Sequence, residues 1–215
     1  MTGLDPLALI VVFAILAILP TLLVVTTAFL KISIVIMLLR NALGVQQIPP
    51  NVALYGLSLI LTAYVMAPVG NRIYETTLNT PTSGKNLGAV IAGVRKGAEP
   101  MRDFLERNSK PEQREFFVRT AQKIWGPQLG AEVKSNDFLI LMPAFLVSEL
   151  TSAFQIGFLI YLPFMVIDLI VSNILLALGM MMVSPVTITL PLKLFLFVAV
   201  DGWTRLIHGL VLTYA

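Results

Sequence analysis

The apolar positions of this 215-residue chain fall into four long regions. The first of them contains a run from residue 7 to residue 30 without one ionisable side chain. About 20 apolar residues in a helix are enough to cross the hydrocarbon core of a bilayer. The pattern therefore predicts an all-α integral membrane protein, with apolar helical regions at residues 6–30, 51–70, 138–167 and 169–214.

The last apolar region is long enough for two helical passes and contains residues that interrupt helices. Gly179, Pro185 and Pro191 lie within it, and they are followed by the charged Lys193 and Asp201. Because proline lacks a backbone N–H and clashes with the preceding turn, we expect breaks or kinks at these positions.

The stretch of residues 71–137 differs from the rest of the chain in its charge. It holds eleven of the fifteen Lys and Arg residues and eight of the twelve Asp and Glu residues. Its beginning, residues 76–84, is typical of a loop. Its second half repeats apolar residues at helical spacing, namely Phe116, Phe117, Ala121, Ile124 and Trp125. We predict N-terminal apolar helices at 1–70, a small amphipathic helical subdomain outside the lipid at 71–137, and C-terminal apolar helices at 138–215.

Two segments flank the first apolar region. Residues 31–50 carry Lys31 and Arg40 close to membrane ends and are predicted to form a loop. The loop is predicted to end at Gln46-Gln47 and Pro49-Pro50. Residues 1–6 contain no Lys or Arg, and the run that follows is longer than the core of a secretory signal peptide. We therefore expect the first apolar segment to be retained.

Five charged residues lie within or between the apolar regions: Glu149, Asp168, Lys193, Asp201 and Arg205. A lone charge at the middle of a bilayer costs at least about 2.5–3.5 kcal/mol, so such groups face protein or water and pair. For Asp201 and Arg205, a place at a helix end near the membrane surface stays equally open. Apolar residues flank Glu149 on both sides, and the sequence favours Lys193 as its partner.

Small residues surround Glu149 at helical spacing. Ala144, Ser148 and Ser152 recur at every fourth position, and so do Ala153 and Gly157. Small residues at this spacing let membrane helices approach closely. We expect a helix–helix contact here, either within one subunit or between subunits.

Three consecutive methionines, Met180, Met181 and Met182, follow Gly179. Successive helical residues lie about 100° apart, so the three side chains cannot share one helix face. At a helix break they can project together, and in an oligomer such flexible side chains would form a deformable apolar seal. The alternative, in which they fill lipid-facing or core space, stays open on these residues alone.

Composition excludes several functional classes. The chain is 57% hydrophobic and only 13% charged, it has no cysteine, and its net charge is +3 with the signs interleaved. Thiolate chemistry and a nucleic-acid footprint are therefore absent from the sequence. The single histidine, His208, lies in an apolar run, and the surroundings of Asp168 and Asp201 do not match the Tyr-Asp and Gly-x-Gly-Asp motifs of intramembrane aspartyl proteases. We expect no enzymatic activity, no metal and no cofactor.

A small multi-pass solute transporter or channel subunit is the alternative function. Such transporters commonly contain interrupted helices in two related halves. This chain shows one set of breaks and no internal repeat.

Ordered blocks along nearly the whole chain resemble the SctR/FliP family of the type III secretion export apparatus. The blocks are residues 39–44 with Gln46-Gln47 and 49–51, residues 151–160, 162–169, 177–183, 190–194 and 200–203. Flagellar members usually begin with a cleavable signal. Its lack here favours an injectisome member.

The resemblance implies a core subunit of the bacterial inner-membrane export gate. It implies a homo-oligomer, specifically a pentamer, of kinked helical hairpins around a path for unfolded polypeptides, with parts above the membrane plane. Met180, Met181 and Met182 would form the methionine gasket, and Glu149 and Lys193 an ion pair between subunits. Implied partners are SctS/FliQ-like, SctT/FliR-like, SctU/FlhB-like and SctV/FlhA-like components.

Overall fold

A computed structural model describes residues 6–45, 48–78, 93 and 95–215, and these residues form helices without a strand among them. The bounds of the helices are α1 Pro6–Thr26, α2 Phe29–Leu43, α3 Asn51–Leu78, α4 Glu99–Asn108, α5 Pro111–Ile124, α6 Gly126–Ala131, α7 Phe138–Ala177, α8 Val186–Ala199 and α9 Gly202–Leu212. The predictions for residues 1–5 and for Gln46-Gln47 lie outside the described residues, as does the predicted loop from residue 79 to residue 84. The first three residues of that loop, 76–78, belong to α3, so the loop prediction is wrong there.

The length and composition of the described helices suit a membrane. Helices α3 and α7 are each long and apolar enough to cross a bilayer, and the number rises to four if each of two bent helix pairs is one span. One bent pair is α8 and α9, which meet at an angle of 63°. The predicted fold class, an all-α membrane protein with about four apolar regions, is confirmed.

The predicted loop at residues 31–50 is wrong over most of its length, because α2 occupies Phe29–Leu43. Ile32, Val35, Ile36 and Leu39 are buried at the i, i+3, i+4, i+7 spacing of a helix face. Lys31, which the sequence places close to the end of a membrane segment, lies in the first turn of this helix.

The C-terminal half differs from the prediction in two places. Helix α7 runs unbroken through Asp168 for 40 residues, which is about 60 Å at 1.5 Å per residue. Pro191 lies inside α8 instead of breaking it. Membrane helices tolerate an internal proline where neighbouring groups satisfy the freed carbonyl. The predicted interruptions at Gly179 and Pro185 are confirmed, since both lie between α7 and α8.

The chain divides into two compact units. In unit 1, residues 1–30 and 68–148, the amphipathic helices α4 and α5 lie beside the first part of α7. The rings of Phe104 and Phe145 pack in a tilted arrangement with centroids 5.7 Å apart, and the Ser148 hydroxyl accepts a hydrogen bond from the Lys110 amide at 2.9 Å. The predicted apolar stripe of α5 is largely exposed in the single chain, since only Ala121 of its members is buried.

Unit 2, residues 31–67 and 149–215, contains most of α2, the first part of α3, the second part of α7, and α8 and α9. Its apolar core joins Leu39, Ala42 and Leu43 of α2 with Phe164 of α7 and Phe197 of α8. Asp201, at φ 54°, lies in the left-handed region between α8 and α9. This unit carries most of the residues that the sequence singled out.

Candidate functional site

The methionine triplet lies in the connection between α7 and α8, which begins with a Schellman turn. Gly179 has φ +71°, its amide donates to the Leu176 carbonyl at 3.0 Å, and the Met180 amide donates to the Leu175 carbonyl at 2.9 Å. These two bonds close the helix end, and the left-handed position favours glycine. The chain therefore turns sharply just before the three methionines.

The three methionine side chains are exposed to different degrees in the single chain. Met180 is 43% exposed, Met181 80% and Met182 102%. Pro185 then caps the start of α8. The triplet is thus an apolar loop outside any helix, as predicted, and Met181 and Met182 are largely exposed.

A buried ion pair lies within unit 2. The Lys31 ammonium is 3.0 Å from Glu149 Oε1, and the two residues are 4% and 2% exposed. The Tyr214 hydroxyl donates to Glu149 Oε2. The Lys31 ammonium also lies 3.8 Å from the centroid of the Tyr214 ring, which is within cation–π range. Residues from α2, α7 and the chain beyond α9 thus meet around one carboxylate.

A second ion pair holds Lys193. Its ammonium lies 2.6 Å from Asp168 Oδ2 and donates to the Ala42 carbonyl at 3.2 Å. Lys193 is buried, whereas the Asp168 side chain is 40% exposed. This pairing explains why Asp168 does not end α7, because the carboxylate is neutralised from α8.

In the single chain, the structure does not pair Glu149 with Lys193, since each has its own partner. The predicted ion pair between subunits concerns an assembly and stays a prediction. Sequence reasoning missed Lys31 and Tyr214. For Lys31 the available signal was its spacing of four and eight residues from the apolar Val35 and Leu39, which places the three on one helix face. For Tyr214 the sequence offered no signal.

The predicted small residues lie in both units. Ala144 and Ser148 are buried in unit 1, and Ala153 and Gly157 are buried in unit 2. Gly157 faces α2, where a Cβ added to it would overlap the Leu38 side chain. A role for these residues between subunits stays a prediction.

We expect Gly157→Ala to destabilise the chain by about 1–3 kcal/mol, because the added methyl group overpacks the contact with Leu38. The measurement is the unfolding midpoint in detergent. The matched control is Gly56→Ala in α3, where an added Cβ meets no atom within 4 Å. A helical glycine replaced there by alanine gains about 0.5–1 kcal/mol. Equal midpoints for the two variants would contradict the close approach of Gly157 to α2.

The fold and the site together define a helical membrane protein with a buried intrachain ion pair and an exposed apolar loop between interrupted helices. Comparison with known proteins gives a more specific answer. The model of the FliP family matches residues 12–210. Yop proteins translocation protein R of Yersinia pestis is 53% identical over 210 residues, which cover 98% of this chain and 97% of the relative.

Other relatives align over the same extent. Harpin secretion protein HrcR of Erwinia amylovora is 44% identical over 98% of this chain and 97% of its own length. Virulence protein YscR of Salmonella typhimurium is 44% identical over 98% of each chain. The chain belongs to the FliP family, which confirms the resemblance seen in the sequence.

Proposed function

We propose that the chain is a core subunit of the export gate of a bacterial type III secretion system, in the inner membrane. The observation that carries the proposal is the match over 97% of the length of a protein named for Yop translocation. Relatives named for harpin secretion and virulence support the same role. The chain acts as a structural subunit of the machinery and does not act as an enzyme.

The gate itself forms from several copies of the chain. One chain has too few helices to surround a polypeptide, so the path for unfolded substrates requires a ring, for which we propose five copies. Each copy contributes the loop of Met180, Met181 and Met182. Their exposure in the single chain supports a loop that packs only against other copies or against a substrate.

The physical properties of methionine suit this task. The side chain is unbranched, flexible and polarisable, so it adapts to irregular partners. A ring of such side chains excludes water when it is closed, and hydrophobic constrictions gate channels by dewetting. The same ring deforms around varied polypeptides without a fixed shape. The Schellman turn at Gly179 would hold each loop at the same place in every copy.

The partners follow from this role. The ring would join SctS/FliQ-like and SctT/FliR-like subunits and receive substrates through SctU/FlhB-like and SctV/FlhA-like components. The pair Glu149 and Lys193 and the partly buried Ser152 are the proposed contacts in assembly. Nucleic acid, metal and cofactor have no part in the proposal.

Native mass spectrometry tests the proposed assembly. We expect the chain, co-expressed with its gene neighbours and purified in detergent, to form a ring of discrete copy number that captures two other small membrane proteins. A matched preparation of the chain alone serves as the control for partner capture. A stable monomer or dimer without partners would contradict the export-gate proposal and favour a small transporter.

A further inference from the structure

An apolar groove in unit 2 lies between α7 and α9. Its volume is about 360 Å³. Ile156, Leu159 and Ile160 form the α7 wall, and Arg205, Gly209 and Thr213 mark the facing side of α9. The groove belongs to neither ion pair and does not include the methionine loop.

Arg205 gives the groove one charged end. The side chain is exposed, and no ion pair within residues 6–45, 48–78, 93 and 95–215 includes it. An arginine in an apolar segment tends to pair or to reach the membrane surface. Trp203 lies two residues earlier, at the same end of α9, and tryptophan is enriched at headgroup level. The charged end of the groove therefore suits the headgroup region.

The rest of the groove suits a hydrocarbon chain. Arg205 lies in α9 and Thr213 is the residue that caps its C-terminal end, so the two are eight residues apart, which is about 12 Å along the helix axis. Gly209 lies between them, and a Cβ added there would meet no atom within 4 Å. The glycine therefore leaves the middle of the groove open, and its walls are apolar.

We propose that this groove binds an anionic phospholipid, with an acyl chain along α7 and α9 and the phosphate on Arg205. The planar guanidinium donates two parallel hydrogen bonds to phosphate oxygens, and basic pockets between membrane helices bind lipid headgroups. A soluble anion would gain nothing from the apolar walls. A zwitterionic lipid would bind less tightly, because its own ammonium competes with Arg205 for the phosphate. The inference goes beyond the proposed function, since it requires only a membrane.

The test is native mass spectrometry of the purified wild-type chain after exchange into mixed micelles that contain equal amounts of phosphatidylglycerol and phosphatidylethanolamine. We expect one phosphatidylglycerol retained per chain in preference to phosphatidylethanolamine. Arg205→Gln is expected to lower this retention about fivefold, whereas Arg205→Lys retains more of it. Gly209→Leu fills the groove and is expected to remove both lipids.

Gly56→Leu is the matched control, because it adds the same side chain at another open helical position of unit 2. Its lipid retention is expected to equal that of the wild type. Equal retention of the two lipids by the wild-type chain, or equal phosphatidylglycerol retention by Arg205→Gln, would overturn the proposal. The proposal would also be overturned if the wild-type ring carried no lipid and the Arg205→Gln ring dissociated. This result would show that a neighbouring copy fills the groove. The copy number comes from the same spectra, so failure of lipid binding and failure of ring formation are distinguishable.

Discussion

Glu149→Leu is expected to destabilise the isolated chain by about 3–5 kcal/mol, because it leaves the Lys31 ammonium buried without its carboxylate. The two charges lie 3.0 Å apart and both are almost fully buried. The substitution also removes the acceptor of the Tyr214 hydroxyl. The measurement is the free energy of unfolding in mixed micelles, obtained by titration with a denaturing detergent.

A double variant separates the ion pair from the packing around it. Lys31→Met combined with Glu149→Leu replaces both charges by apolar groups of similar size, which is often neutral or stabilising for a buried pair. We expect it to recover most of the stability lost in Glu149→Leu. Adding Tyr214→Phe also removes the hydroxyl whose hydrogen bond to Glu149 is lost in the double variant, and a lost buried hydrogen bond costs about 1–3 kcal/mol.

The control for this experiment is an exposed ion pair. Arg119 and Glu115 lie one turn apart on α5, with side chains 70% and 63% exposed. Surface pairs contribute about 0–1 kcal/mol, so Glu115→Leu is expected to change stability by less than that amount. A similar loss of stability in Glu149→Leu and Glu115→Leu would show that the buried ion pair contributes no more to stability than an exposed one.

A further variant, Glu149→Ala, tests the predicted pairing across subunits. If Glu149 contacts Lys193 of a neighbouring copy in the ring, Glu149→Ala weakens the oligomer more than the isolated chain. If Lys31 remains the partner of Glu149 in the ring as well, the variant lowers the stability of the isolated chain and does not weaken the contacts between copies. Ring yield and the unfolding of the isolated chain, measured on one preparation, decide between the two. A wild-type ring yield would contradict the Lys193 pairing.

The local features of the fold were predictable, because they depend on neighbouring residues. The break at Gly179 follows from one glycine and a proline six residues later, and no distant contact is needed to produce it. The amphipathic helix α5 follows from its periodicity. The predicted helix break at Asp168 was wrong, although a charge inside an apolar run is typical of a helix end. The lysine that neutralises Asp168 lies 25 residues further along the chain, so local sequence does not reveal the pairing.

The buried ion pair was beyond sequence reasoning for the same physical reason. Lys31 and Glu149 are 118 residues apart, and their contact depends on how α2 packs beside α7. Sequence proximity favours Lys193 over Lys31, although the two side chains are chemically equivalent. The need for a partner was predictable, because an unpaired carboxylate in an apolar helix is costly. The identity of the partner depends on packing and requires the structure.

Replacing Met180, Met181 and Met182 together by alanine is expected to make the assembled gate leak small ions while the ring still forms. The prediction rests on the proposed function. The exposed side chains of the single chain make few contacts within it, so their truncation should change stability by no more than about 0.5 kcal/mol. The seal, in contrast, depends on the apolar volume that the loops place in the pore. The measurement is ion conductance of purified complexes in planar bilayers, with copy number checked by native mass spectrometry.

Two further variants show whether the seal depends on the methionine loop or on methionine content in general. Met165→Ala truncates a methionine on α7 that is 47% exposed and lies outside the loop, so its complexes are expected to stay closed. Replacing the triplet by three leucines keeps the apolar volume but reduces side-chain flexibility. Those complexes should stay closed at rest and export less, because a stiffer ring adapts less well to varied polypeptides. If complexes with the alanine triplet formed intact rings and did not conduct ions, the methionine loop would not be the seal. Another constriction would then close the pore.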